Sequence, residues 1–149
     1  MIRKSILDAL DLDIIRLAET HLRRCKNIEF DGYTWFGNNR KDIHRKAPKG
    51  SGGVGVLIRN CVLNQFNVYE TNTLNEGIIW VRLKDKETLE ILSFCVCYVP
   101  PSNSTRNVNV EEFLNVVMSD VYVYQTDSAL VLVCGDFNIR VGDEDDLPP

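Results

Sequence analysis

The feature that most constrains this chain is an uninterrupted apolar run, Ala129-Leu130-Val131-Leu132-Val133-Cys134, that stops abruptly at Gly135-Asp136-Phe137-Asn138. Six apolar residues rich in branched side chains suit a strand, and a strand with no polar alternation is one expected to be buried on both faces. Just before it, Val110, Phe113, Leu114, Val117, Met118 and Val121 recur at helical spacing, with Asn109 and Glu112 placed as a capping pair. That stripe predicts a helix over Val110–Val121 packed on a sheet by those six residues. An amphipathic helix followed by a fully apolar strand points to a mixed α/β domain.

The rest of the chain extends the pattern. Strands are predicted at Asp13–Ala18, Tyr33–Phe36, Gly53–Ile58, Cys61–Val68, Gly77–Leu83 and Leu89–Val99, and Lys4–Leu10 reads as the end of a short helix. Asn38 to Gly52 is crowded with Asn, Lys, Arg, Pro and Gly and reads as a loop. No internal repeat or linker divides the 149 residues, so a single domain over 1–149 is expected. No segment approaches the ~18 apolar residues of a membrane span, and no signal-peptide core follows Met1. The expectation is therefore an intracellular protein, nuclear or cytoplasmic, with no membrane partner.

The five cysteines contain no C-x-x-C pair. Cys95 and Cys97 lie two apart in an apolar run, so a strand places both on one face, as core thiols. Charge is divided unevenly. Residues 1–60 hold 12 Lys/Arg against 7 Asp/Glu and residues 61–149 hold 5 against 14, so the net −4 splits into +5 and −9. Such a chain does not coat nucleic acid through bulk charge, although a local basic patch can still contact it.

Polar residues collect where strands end: Glu19-Thr20-His21 after the first, Tyr98-Val99-Pro100 after another, Gly135-Asp136-Phe137-Asn138 after the last. In α/β sheets the carboxyl ends of strands are where ligands gather. A carboxylate there suits a hard cation, a second can take a proton from water, and an amide and a phenol can hydrogen-bond charge developing on phosphorus. Each residue alone has a plainer reading, as a solvated loop acid, a turn or a packing tyrosine. Their combination is what carries weight, and the four side chains are expected at one end of a sheet, facing a shared cleft.

That combination resembles the endonuclease/exonuclease/phosphatase superfamily, and within it the apurinic-endonuclease-like nuclease domains of LINE-type retrotransposons. The matching phrases are Glu19-Thr20-His21-Leu22, Ser51-Gly52-Gly53-Val54-Gly55-Val56-Leu57-Ile58, Tyr98-Val99-Pro100-Pro101 and Gly135-Asp136-Phe137-Asn138, in the family's order. The resemblance implies a DNase I-like α/β sandwich of two mixed sheets flanked by helices. It implies an endonuclease that hydrolyses DNA phosphodiesters with Mg2+, or Mn2+ in its place. Glu19 would ligate the metal, Asp136 would orient or deprotonate the attacking water, Asn138 would hold the scissile phosphate and Tyr98 would stabilise the transition state. A fused reverse transcriptase is the partner implied for a fuller gene product.

Two departures stand beside the match. The family's opening strand with its active-site Asn and its late Ser-Asp-His phrase have no counterpart here, so the resemblance implies a partial domain of weak activity. A catalytically inactive fragment with residual nucleic-acid binding, or a phosphatase of the same superfamily, stays open as an alternative. Of the two histidines, His21 reads as a bystander and His44 lies in the loop. That loop carries Arg40, Lys41, Arg45, Lys46 and Lys49 beside an aromatic strand, candidates for backbone contact if they are more than a solvated face. Pro101 stands where some relatives have Asn, leaving Asn103 as a loose substitute for a DNA contact. Asp143-Glu144-Asp145-Asp146 lacks metal-ligand spacing and reads as solvated.

Overall fold

A computed structural model of the protein describes residues 11–22, 26–39, 52–71, 75–101 and 108–138. Its strands are β1 (Ile14–Ala18), β2 (Tyr33–Asn38), β3 (Val54–Arg59), β4 (Phe66–Thr71), β5 (Ile78–Asp85), β6 (Ile91–Tyr98) and β7 (Leu130–Asp136). The helices are α1 (Asn60–Gln65) and α2 (Val110–Tyr124). One sheet runs β1-β3-β2 and the other β4-β5-β6-β7. The described strands of the first pair antiparallel, whereas the second is mixed, because β6 and β7 run parallel. Parallel neighbours need a crossover, and α2 lies within it.

Period-two alternation explains the layering. On β3, Val54, Val56 and Ile58 face the second sheet, where they meet Ile79, Val81 and Leu83 of β5 and Phe94, Val96 and Tyr98 of β6. Leu57 faces the other way, against Ile15, Leu17, Phe30, Tyr33 and Trp35. On β5 the alternate residues Ile78 and Trp80 join Cys95 and Cys97 beneath Phe113 and Val117 of α2. Sheet, sheet and helix thus stack as three layers, and the covered stretches of β5 and β6 at Ile78–Val81 and Phe94–Cys97 are apolar on both faces. Burying each such side chain contributes about 1.5–3 kcal/mol.

Helix α2 starts where expected: the Asn109 side chain accepts from the Glu112 N–H at 3.2 Å, and Glu111 and Glu112 complement the positive end of the helix dipole. Its far end is pinned to β5. Trp80 Nε1 donates to Asp120 at 2.9 Å, the Tyr124 ring stands edge-on to Trp80 at 4.7 Å, and Arg82 lies over Tyr124 while pairing with Asp127.

Three expectations are corrected. Residues Cys61–Val68 are not one strand: α1 occupies Asn60–Gln65 and β4 begins at Phe66. Val62 and Leu63 pack on the inter-sheet core from the helix, a choice that a short apolar run leaves undecided. Met118 is 48% exposed, because the Trp80–Asp120 bond and Phe113, Val117 and Tyr124 centre the buried stripe on the neighbouring side of α2. Strand β7 is not covered on both faces either. Val131 and Val133 pack under α2, but Leu130 and Leu132 on the other face are 50% and 37% exposed. β7 is the outermost described strand of its sheet, and the facing three-stranded sheet meets it chiefly at the Cys134 end.

Cys95 and Cys97 share a face as expected, their Sγ atoms 3.3 Å apart, and the four described cysteines are free. The contact with Cys97 together with burial pushes the Cys95 thiol up, and burial does the same for Cys134, so these are inert core thiols. The helix expected at Lys4–Leu10 lies outside the described residues. Among the described residues no helix is long and apolar enough to cross a membrane.

Candidate active site

The chain bends sharply where β1 ends. Glu19 and His21 both take left-handed backbone conformations, with φ of 51° and 55°. For a residue such as Glu this costs about 1–2 kcal/mol, so the surroundings must hold it there. They do so through Thr20 N–H to Gly53 O at 3.1 Å and His21 N–H to Gly52 O at 2.9 Å, which continue the β1–β3 pairing past the strand. Gly53 itself has φ 88°, and a Cβ there would come within 2.6 Å of the buried Thr20 Oγ1, so only glycine fits.

The bend sends the Glu19 side chain across to the second sheet. There the Tyr98 hydroxyl donates to Glu19 Oε1, joining residues 79 apart in sequence. Tyr98 is 5% exposed and closes the inter-sheet core, while Glu19 stays open to solvent. The pair thus has an apolar wall behind it and water in front.

Strand β7 delivers the remaining groups. Asp136 is the register partner of Tyr98 on the parallel strand, so both side chains leave the same face, toward the first sheet. A Cβ on Gly135 would lie 2.0 Å from Cys97 O, so the glycine is what lets β7 close on β6 immediately before Asp136. The Asp136 carboxylate then accepts the Asn138 N–H at 3.1 Å, and Asn138 Nδ2 donates to Val99 O at 3.0 Å. Asn138 also takes a left-handed conformation, φ 43°, which Asn tolerates better than Glu.

Glu19, Tyr98, Asp136 and Asn138 are therefore linked in a chain of contacts and pairings, Tyr98 and Asp136 closing their strands and Glu19 and Asn138 lying just past theirs. The expected place needs one amendment: they occupy the adjoining ends of two sheets, with Glu19 on the first and the other three on the second. Among the described residues no group of three His, Cys, Asp or Glu could hold a metal. The oxygen donors present, two carboxylates and an amide, still suit Mg2+, which keeps several waters and is commonly held by one or two carboxylates plus substrate phosphate. His21 is exposed beside the bend. Arg40, Lys41, Arg45, Lys46, Lys49 and Asn103 lie outside the described residues.

A concavity of about 570 Å3 runs along α2, lined by Asn109, Glu111, Glu112, Asn115 and Asp120 among others. None of the four strand-end groups lines it, and its carboxylates repel an anionic phosphate substrate. The residue that sequence reasoning missed is Asn38, read as the start of a loop. It closes β2 and is 4% exposed, and the signal was a polar side chain two residues past the aromatic run that ends at Phe36.

Residues 4–147 match the profile described as the Endonuclease/Exonuclease/phosphatase family. No curated relative matches the chain by sequence. Solved structures do match in fold. The human Nocturnin catalytic domain with bound sulfate aligns over 91% of this chain at 17% identity and a TM-score of 0.61. D. rerio TDP2 complexed with single strand DNA product aligns over 92% at 14% identity and 0.56, and the Bacteroides thetaiotaomicron VPI-5482 mannosyl-6-phosphatase Bt3783 over 95% at 14% and 0.62. The chain spans just over half of those structures, 55%, 52% and 57% respectively. At such identities the likeness establishes the DNase I-like two-sheet fold.

Proposed function

The chain belongs to the endonuclease/exonuclease/phosphatase family, and from that premise we propose that it carries a Mg2+-dependent phosphodiester hydrolase centre acting on DNA. The observation that carries the reading is the Glu19–Tyr98 contact, which sets a carboxylate and a phenol from two sheets beside Asp136. A left-handed Glu held by the Gly52 and Gly53 carbonyls and turned toward a buried Tyr suits metal ligation by the one and phosphate recognition by the other.

Within this reading Glu19 holds the cation, which supplies screening of phosphate charge when bound. Asp136 orients the attacking water and takes its proton, its carboxylate already steered by the Asn138 N–H. Asn138 Nδ2 has one hydrogen on Val99 O, leaving its second for a phosphate oxygen. The one hydrogen of the Tyr98 hydroxyl rests on Glu19 Oε1, and with Glu19 engaged by the cation it turns to the charge that develops during displacement. Arg40, Lys41, Arg45, Lys46, Lys49 and Asn103 are proposed as contacts to the nucleic-acid backbone. The LINE-type phrases extend the proposal to a retroelement origin, with a reverse transcriptase in the fuller gene product.

The test is nicking of supercoiled plasmid with Mg2+, with Mn2+ and with chelator, beside Glu19→Ala and Asp136→Ala. Metal-dependent nicking lost in both variants supports the reading; nicking that survives both sinks the assignment. Running an aryl phosphate monoester and a diester in parallel separates the phosphatase alternative, which predicts turnover of the monoester. Mn2+ binding that disappears in Glu19→Ala reports on the metal site without any turnover.

A further inference from the structure

The two sheets also meet near the site through one buried amide that the mechanism leaves unused. Asn38 pairs with Val54 of β3 through its backbone. Its Nδ2 reaches the other sheet, donating to Ile78 O at 2.8 Å and to Asn75 O at 3.0 Å. Asn75 in turn shapes the segment before β5, its Oδ1 accepting Gly77 N–H at 3.1 Å and its carbonyl accepting Ile78 N–H at 3.2 Å. The Gly77 carbonyl accepts the Tyr98 N–H at 2.8 Å. In the other direction, Val54 follows Gly53, whose carbonyl holds the N–H of Thr20, next to Glu19. A short bonded path therefore runs from Asn38 to each member of the Glu19–Tyr98 pair.

We infer that Asn38 is a positioning residue of this site, a cross-sheet strut that fixes where the Glu19 carboxylate meets the Tyr98 phenol. The inter-sheet core around it is aliphatic and aromatic. Such contacts are non-directional and set the offset between the sheets less sharply than a hydrogen bond does. Two donors of one planar amide aimed at two backbone carbonyls define the offset instead. The use of the pair in hydrolysis rests on the function proposed above, but the strut itself does not.

The experiment is a double-mutant cycle on the full chain, Glu19→Ala against Tyr98→Phe, read by urea unfolding. It is run with Asn38 intact, with Asn38→Leu, which keeps bulk and removes both donors, and with Asn38→Ser, which restores a single donor. With Asn38 intact the pair should couple by about tenfold in the folding equilibrium constant, as for a hydrogen bond to a charged group. In Asn38→Leu the coupling should fall to about onefold, and Asn38→Ser should lie between. A merely structural Asn38 would lower stability yet leave the coupling intact, and that result overturns the inference, as does the absence of coupling in the wild type. If Asn38→Leu does not fold, Asn38→Ser decides alone. Plasmid nicking on the same variants is scored separately, so a failure of the hydrolase reading is distinguishable from a failure of the strut.

Discussion

Truncating Phe113 tests the three-layer packing and, through it, the floor beneath the site. The ring is 2% exposed and packs with Ile78, Trp80, Cys95, Cys97 and Val99. It also lies close over Gly77, since a Cβ there would be 3.1 Å from Phe113 Cε2. Phe→Ala in a core costs about 3–5 kcal/mol, depending on how far the cavity collapses. Collapse is limited here, because one wall is the backbone of β5 and β6, held by ladder bonds on both sides of each strand. We therefore expect a loss of about 4 kcal/mol, which at a urea slope of roughly 2 kcal/mol/M moves the midpoint by about 2 M. Met118→Ala on the same helix is the internal control. Met118 is 48% exposed and Ala favours helix, so its loss should stay within about 0.5 kcal/mol. Urea unfolding followed by circular dichroism measures both. A Phe113→Ala loss below about 1 kcal/mol, or a Met118→Ala loss of equal size, would refute the assigned helix face.

Gly135→Ala should cost about 1–3 kcal/mol from overpacking against Cys97 and push Asp136 off its register with Tyr98; calorimetry that finds it neutral would show that β7 yields freely. The N–H groups of Thr88 and Glu87 and the Gln65 amide hold the Asp85 carboxyl below its ordinary range. Its stabilisation is therefore complete above the ordinary value near ~4 and is lost as pH falls through the lower folded value. Urea midpoints should stay level through neutral pH and drop on acidification, and Asp85→Asn should flatten that drop; an equally steep acid limb would count against Asp85. For the proposed hydrolysis, Tyr98→Phe should lower kcat by about 100–1000-fold with KM little changed, and a purely KM effect in initial-rate kinetics would reassign the phenol to ground-state binding.

The sequence makes the strand ends readable because the chemistry there is local: Gly135-Asp136-Phe137-Asn138 abuts an apolar run, and the structure puts that run at β7 and Asp136 at its close. Six of the strands follow from apolar or aromatic runs, whereas β4 does not: the run expected as a strand over Cys61–Val68 is helical at Asn60–Gln65, and β4 covers Phe66–Thr71. Met118 and Asn38 depart from the sequence expectation for a shared reason. Which side of a helix faces inward, and whether a polar residue caps a strand or enters a loop, depend on partners 40 residues distant: Trp80 Nε1 for Asp120 and Ile78 O for Asn38. The left-handed turn at Glu19 was invisible for the same cause, since it is imposed by Gly52 and Gly53 across the sheet.

The outer position of β7 has a kinetic consequence. β6 is laddered on both sides, whereas β7 is laddered to β6 alone among the described strands, and its Leu130 and Leu132 are part-solvated. Local opening free energy falls where buried contacts and protected amides are few. Amide exchange in Leu130–Asp136 should accordingly outpace that in Ile91–Tyr98. In the proposed centre, Glu19 and Tyr98 would then stay in contact while Asp136 and Asn138 exchange with the local opening of β7.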